Sequence, residues 1–285
     1  MSSAAIPARD PIQTALELRA RGQLRQALDA LSVPGDFPAD FYNLRGDLQL
    51  ELDQPQEAAA SYFTAAASEP DNVYAQCNLG LCLRRLERWG QAAEALQAVL
   101  KLDPHRDEIR LDLGDCLLHL NLYEEALVCF DQCWSGAARR RAQFGSAVAL
   151  HLLRRFDEAE AGYERVLALD PRAEEALSNL IAMCVEVFDL ERVQRYARRL
   201  LDINPRSAAA VKGLALVAIE RREQETAVRF FARAAELDTE TIYAARSAAH
   251  SAIQREHRDG IIEYRLSREV LDRLTQASRA RAAGE

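Results

Sequence analysis

Small and large apolar residues recur along this chain with a period close to 34 residues. Three glycines, Gly46, Gly80 and Gly114, lie 34 positions apart. A second series of small side chains keeps this spacing with one step of 33, and it consists of Ala58, Ala92, Ala126, Ala159, Val193 and Ala227. The residues four positions after these are Tyr62, Leu96, Phe130, Tyr163, Ala197 and Phe231. Because residues four apart share one face of an α-helix, the pattern predicts amphipathic helices at a fixed interval.

Each interval carries the signals of two helices joined by a turn. In the first helix a large residue beside a small one, as in Leu79-Gly80, allows a second helix to approach closely. The second helix has its own small residue, Ala92 in that interval, which we expect to pack back against the gap. Pro104 then ends the second helix, since proline disfavours helical geometry in the residue before it. Hairpin signals are absent from the sequence, so the chain is predicted to be all-α.

A 34-residue helix pair with these positions resembles the tetratricopeptide repeat family. The resemblance implies a right-handed superhelical solenoid of antiparallel helix pairs, with repeats at 39–72, 73–106, 107–139, 140–173, 174–207 and 208–241. Some positions depart from the family pattern. Arg45 stands where leucine is usual, Thr239 stands where proline is usual, and the third repeat is one residue short and lacks its proline.

The flanks of the repeats have a weaker pattern. Residues 1–38 are predicted to contain an irregular helix pair within 10–33, with Ala15 and Ala27 at the small positions. Residues 242–285 are predicted to form capping helices, because a solenoid needs polar ends and the last segment is rich in Arg and Glu.

Charge narrows the class of partner. The net charge of −8 argues against a nucleic-acid partner, which requires basic surface to displace counterions from phosphate. The related pentatricopeptide arrays that bind RNA have a 35-residue period and basic grooves. Here residues 39–134 contain 17 acidic and 7 basic side chains, whereas residues 135–222 contain 12 acidic and 15 basic ones.

The sequence contains no recognisable catalytic or cofactor motif. Phosphate-binding glycine loops, an H-E-x-x-H zinc motif and a G-x-S-x-G nucleophile motif are all missing from it. Of the six cysteines, Cys129 and Cys133 share a helix face and could begin a metal site, but the cysteines fall at packed positions, where they act as small apolar residues. We therefore expect no enzyme activity, no cofactor and no metal.

The sequence also bears on location. Its N-terminus lacks the charged and apolar regions of a secretory signal, and no apolar run reaches the roughly 18–20 residues of a membrane span. The resulting expectation is a cytoplasmic protein with reduced cysteines and no membrane span.

The family resemblance also indicates a binding surface. In this family the first helices line the concave groove, so the candidate partner-binding residues are Asn43, Asp47, Tyr74, Asn78, Arg84, Glu108, Asp112, Asp115, Phe144, Asn179 and Lys212. Asn78 and Asn179 occupy the position where peptide-binding members use asparagine to hold the backbone of an extended ligand. An amide suits this task because it both donates and accepts hydrogen bonds.

These observations predict a protein–protein interaction scaffold whose groove takes a partner polypeptide. The acidic residues of the first half favour a partner with a basic segment. The basic residues with which chaperone-binding relatives grip a C-terminal carboxylate are not reproduced. Two alternatives remain: a homo-oligomer that assembles through apolar C-terminal helices around Ile261, and a regulatory arm of an enzyme whose catalytic part lies elsewhere.

Overall fold

The computed structural model describes residues 10–133 and 136–237. Within those ranges the secondary structure is entirely helical, in agreement with the predicted fold class. The helices, in chain order, are α1 Pro11–Ala20, α2 Leu24–Ala30, α3 Ala39–Glu51, α4 Pro55–Ser68, α5 Val73–Arg85, α6 Trp89–Leu102, α7 Asp107–His119, α8 Tyr123–Asp131, α9 Gly136–Leu152, α10 Phe156–Leu169, α11 Glu174–Glu186, α12 Leu190–Ile203, α13 Ala208–Glu220 and α14 Gln224–Leu237.

The chain divides into two compact units, Met1–Leu153 and Arg154–Glu285. In the first unit each helix from α3 to α8 packs against the next one in the chain, and the first helices α3, α5, α7 and α9 also contact one another in that order. In the second unit α10 to α14 pack successively, and the first helices α11 and α13 touch. Within each unit, therefore, the first helices of successive helix pairs lie side by side.

Glycine allows the two helices of a pair to approach closely. A Cβ added at Gly46 would lie 2.7 Å from the ring of Tyr62, and one at Gly114 would lie 2.5 Å from the ring of Phe130. Both rings are almost completely buried. The ring itself thus fills the gap beside the glycine, which sharpens the expectation that Ala58 and its equivalents pack there. Ala58 is also fully buried.

The N-terminal segment contains the two helices α1 and α2. Ala15 and Ala27, the expected small positions, are both fully buried between α1 and α2. Phe37 in the following loop stacks on Phe41 of α3 with ring centroids 4.0 Å apart, and this contact joins the pair to the first repeat. The predicted capping helices of 242–285 and Thr239 lie outside the described residues.

The irregular third repeat has an unequal pair of helices. Its second helix α8 has only 9 residues, whereas the following α9 has 17 and begins at Gly136. Helix α9 therefore runs across the predicted repeat boundary at 139/140. The third repeat lacks its terminal proline, and α9, the helix that follows it, starts early. A proline at that point would interrupt a helix, so its absence allows the early start.

The turn inside each repeat uses a left-handed residue that is not glycine. Asp53, Glu87, Asn121, Arg154, Phe188 and Arg222 all have φ between 58° and 60°, and they recur at the repeat spacing. In the first such turn the Asp53 N–H donates to the carbonyl of Leu50 and the Gln54 N–H donates to that of Gln49. These two bonds satisfy carbonyls that the end of α3 would leave unpaired.

Phe188 offers a test of the energy stored in these turns. Its side chain is 63% exposed, so little packing is lost when it is removed. A left-handed conformation costs a non-glycine residue about 1–2 kcal/mol, part of which is offset by the greater freedom of an unfolded glycine. We expect Phe188→Gly to raise the free energy of unfolding by roughly 0.5–1 kcal/mol in urea denaturation.

The matched control is Gly22→Ala, because Gly22 has φ of 74° in the turn between α1 and α2. This change should lower the free energy of unfolding by a similar amount. A lower stability for Phe188→Gly would mean that the phenyl ring makes contacts that outweigh the backbone strain.

Candidate functional site

The first helices of the first unit form the surface on which most predicted partner-binding residues lie. We call the surface formed by α3, α5, α7 and α9 the first-helix face. Asp47 lies on α3, Asn78 on α5, Asp112 on α7 and Phe144 on α9. Because these helices contact each other in order, polar side chains from neighbouring repeats meet on this face.

Asp47 is the centre of one polar cluster. Its Oδ1 accepts hydrogen bonds from the hydroxyl groups of Tyr62, at 2.6 Å, and Tyr74, at 2.7 Å. The guanidinium of Arg19 on α1 lies 3.7 Å from the other carboxylate oxygen and also pairs with Glu51. The carboxylate is thus held from three helices besides its own, and its side chain is only 18% exposed.

The cluster holds Tyr74 in place at the surface. This side chain is 51% exposed, and its ring meets that of Tyr62 edge to face. Burial of the hydroxyl end raises the pKa of Tyr74 to about 12, and the bond to Asp47 acts in the same direction, whereas the adjacent Asn78 amide acts against it. Tyr74 is therefore a neutral aromatic side chain of defined orientation, with the predicted ligand-binding Asn78 beside it.

Asn43 is one of the predicted partner-binding residues, and its side chain is buried. Only 7% of it is exposed, and its side-chain oxygen has no hydrogen-bond partner among the described residues. It lies one helical turn before Asp47 on α3. An unmet acceptor of this kind is costly when buried, so this part of α3 has capacity for one further donor.

A second cluster joins three repeats around Asp112. The Arg84 guanidinium on α5 lies 3.0 Å from Asp112 and 3.6 Å from Asp115. From the other side, Arg141 on α9 lies 2.9 Å from Glu108, 3.5 Å from Asp112 and 3.6 Å from Asp115. Two arginines therefore face three carboxylates, and the cluster has a net charge of −1.

Asp112 is the buried member of this cluster, with 8% of the residue exposed. Burial raises the pKa of its carboxyl group, and the two nearby guanidinium groups of Arg84 and Arg141 lower it by a smaller amount. The desolvation of the charged carboxylate therefore outweighs its pairing. The ion pairs of Arg84 and Arg141 link the first helices α5, α7 and α9, and the desolvation of the Asp112 carboxylate opposes this stabilisation.

The remaining predicted residues are separate from these clusters. Phe144 is half-buried on α9 in the first unit. In the second unit Asn179 is half-buried on α11, where its amide lies beside the buried hydroxyl of Tyr163, and Lys212 is half-buried on α13. The two asparagines at equivalent repeat positions thus each stand next to a tyrosine hydroxyl.

Four residues of the polar clusters were not among the predicted site residues, namely Arg19, Glu51, Tyr62 and Arg141. Arg19 comes from the N-terminal helix pair, which had no assigned role in binding, and Tyr62 was assigned to the core alone. A signal for Tyr62 exists in the sequence, since the hydroxyl of a buried tyrosine requires a partner and Asp47 lies on the helix that packs against it.

Other site types find no support in the described ranges. No group of three or more His, Cys, Asp or Glu side chains in them is placed to hold a metal ion. Burial raises the pKa of the thiols of Cys82, Cys116 and Cys184 to about 11, as expected for cysteines used in packing. Among the same residues, no helix is both long enough and apolar enough to span a membrane.

Comparison with known proteins agrees with this architecture. Residues 43–104 and 83–149 each match a family model described as tetratricopeptide repeat. A tetratricopeptide repeat protein from Parabacteroides merdae is 16% identical over 93% of this chain and 97% of its own, with a TM-score of 0.57. The C-terminal part of a repeat protein from Cytophaga hutchinsonii is 13% identical over 81% and 98%, with a TM-score of 0.63.

A third solved structure is YrrB, described as a tetratricopeptide repeat protein with an unusual peptide-binding site. It is 18% identical over 72% of this chain and 97% of its own, with a TM-score of 0.56. At identities this low, the similarity establishes a shared fold. It does not transfer the binding partner of one protein to another.

The family models, the repeated helix pairs and these structures agree on one class. Residues 43–149 therefore contain tetratricopeptide repeats, and the solved structures show that the chain shares the fold of this class. Repeats of this class are generally scaffolds for protein–protein interaction and are typically non-catalytic.

Replacing Asp112 with asparagine tests the balance between burial and pairing. The raised pKa means that folding favours the protonated carboxyl, so the stability it provides is complete below the pKa of an unfolded aspartate, about 3.9. That stability is lost as the pH rises through the higher folded-state value. Since asparagine does not titrate, we expect Asp112→Asn to gain stability relative to wild type between about pH 4 and pH 7 in urea denaturation.

The control is Asp53→Asn, whose carboxylate pairs with Arg85 but is 79% exposed. It removes an aspartate of the same unit without changing a buried charge. If Asp112→Asn instead lost stability relative to wild type as the pH rose, pairing with the two arginines would be the larger effect.

Proposed function

We propose that this chain is a non-catalytic scaffold that binds an extended segment of a partner polypeptide on its first-helix face. The observation that carries the proposal is the fixed position of Tyr74. Its hydroxyl is bonded to Asp47, its ring rests against Tyr62, and half of its surface is exposed. An aromatic side chain that is already ordered loses little conformational entropy when a ligand packs against it.

Asn78 provides the polar contact beside this aromatic surface. Its amide lies next to the Tyr74 hydroxyl on α5, and it can both donate to and accept from a peptide backbone. The similarity of fold to YrrB, whose description includes a peptide-binding site, is consistent with a peptide ligand.

The charges of the face favour a partner segment with positively charged side chains. In the Asp112 cluster two arginines leave one carboxylate charge uncompensated. Around Asp47, Arg19 faces both that carboxylate and Glu51, which again leaves one negative charge. A basic side chain placed near either cluster would bring it to neutrality, and this attraction weakens with added salt.

The cytoplasmic location expected from the sequence remains a prediction. The six cysteines of this chain are free, and cysteines stay reduced in the cytoplasm. A partner in that compartment would carry reduced cysteines as well.

A photo-crosslinking amino acid in place of Tyr74 tests the binding face directly. Full-length protein carrying it, irradiated in an extract of the source cells, should form covalent adducts that mass spectrometry can identify. The same amino acid in place of Gln97, an exposed residue of the second helix α6, serves as the control. We expect adducts at position 74 that are absent at 97. Equal labelling at both positions would exclude the first-helix face as the specific site.

Affinity measurements with the identified segment extend this test. Asn78→Ala removes one or two hydrogen bonds, so binding should weaken by about three- to tenfold. Glu108→Gln should lower the affinity and reduce its dependence on salt, whereas Glu124→Gln on the second helix α8 should leave both unchanged. Unchanged binding for Asn78→Ala and Glu108→Gln together would contradict the proposal.

A further inference from the structure

The second helices of the first two repeats border a groove lined by both apolar and polar side chains. A cavity of about 700 Å³ lies between α4 and α6, with α5 at its base. Its walls include the small side chains of Ala59 and Ala66 on α4 and Ala95 on α6, and Leu79 of α5 closes the base. The groove involves none of the polar residues assigned to ligand binding on the first-helix face.

Phe63 lines the groove and is unusual for its position in the repeat. It is 63% exposed on α4. The equivalent positions of the next four repeats are polar, with Gln97, Asp131, Glu164 and Arg198. A large aromatic side chain left in water beside a groove of small residues is typical of an interaction surface.

The rim of the groove carries one charge of each sign. Arg88 and Glu94 both line it and are both exposed. Neither side chain has an ion-pair partner among the described residues, in contrast to Arg84 and Arg85 just before them in the chain, which both pair with carboxylates. The groove thus offers a cation and an anion that the chain itself leaves available.

We propose that this groove is the interface between two copies of the chain. In a two-fold interface a residue that contacts a second residue of the partner is matched by the reciprocal contact. Phe63 of each copy then enters the alanine-lined groove of the other, and Arg88 of each copy pairs with the partner's Glu94. The same surface thus contains both members of each complementary pair, Phe63 with the alanines and Arg88 with Glu94. Binding of a second copy requires this self-complementarity, whereas binding of an unrelated partner does not.

The first test is the mass of the full-length protein as a function of concentration. Sedimentation equilibrium from low to high micromolar concentration should show the average mass rising from the monomer value of 31.9 kDa towards twice that value. Phe63→Gln should weaken the association constant about tenfold or more, because each dimer loses two buried phenyl rings. Val128→Gln removes an apolar side chain that is 55% exposed on α8 outside the groove, and it should leave the association unchanged.

Charge reversal tests the two-fold arrangement itself. Arg88→Glu and Glu94→Arg should each weaken dimerisation at low salt, since each places like charges together twice. The double variant Arg88→Glu/Glu94→Arg should recover the affinity of the wild type. Circular dichroism on each variant checks that it remains folded.

Several outcomes would overturn the proposal. A monomer mass at every concentration would leave the groove to a different protein. A dimer that persists in Phe63→Gln would place the interface elsewhere, for instance on the C-terminal segment. Failure of the double variant to recover affinity would exclude the reciprocal pairing of Arg88 and Glu94.

Discussion

The closeness of the two helices in a repeat depends on a missing side chain. At Gly46 and Gly114 any Cβ would lie within 3 Å of an aromatic ring, so the ring can be buried there only because the residue is glycine. The consequence reaches the surface. The ring of Tyr62 packs on Gly46, and its hydroxyl bonds to Asp47, which in turn holds Tyr74. The geometry of the candidate binding face therefore follows from a contact in the core.

The electrostatics of the first-helix face are set by pairing between neighbouring repeats. Arg84 and Arg141 approach the carboxylates of α7 from opposite sides and cancel two of three charges. The field that a ligand meets is consequently much weaker than the excess of acidic residues suggests. This field is also localised, because the one uncompensated negative charge lies beside the buried carboxylate of Asp112. For the basic partner segment proposed above, one cation at a defined position would therefore match this surface better than a high overall positive charge.

The two faces of the first unit differ in chemistry, and the difference separates two kinds of contact. The first-helix face is polar, ordered by hydrogen bonds and suited to a single extended segment. The groove beside Phe63 is lined by small apolar side chains together with polar ones, and it is the surface proposed above for a second copy. None of the residues proposed to bind the partner lines the groove, so the proposed dimer would keep both first-helix faces available. Two such faces would bind a paired ligand more tightly than one.

The sequence alone determined the repeat length, the helix pairs and the buried small positions, including Ala15 and Ala27 of the first pair. These features depend on residues close in sequence or one repeat apart, so they appear as periodic spacing. It did not reveal the left-handed turns, since Asp53, Glu87 and Phe188 carry no glycine signal.

The partners of the predicted site residues were decided only by the tertiary structure. Arg141 pairs with Glu108 and Asp112 about thirty residues away, and Arg19 reaches Asp47 from outside the regular repeats. The exposed position of Phe63 beside an open groove belongs to the same category. Such contacts depend on the directions of long side chains across helices, which residue spacing does not specify.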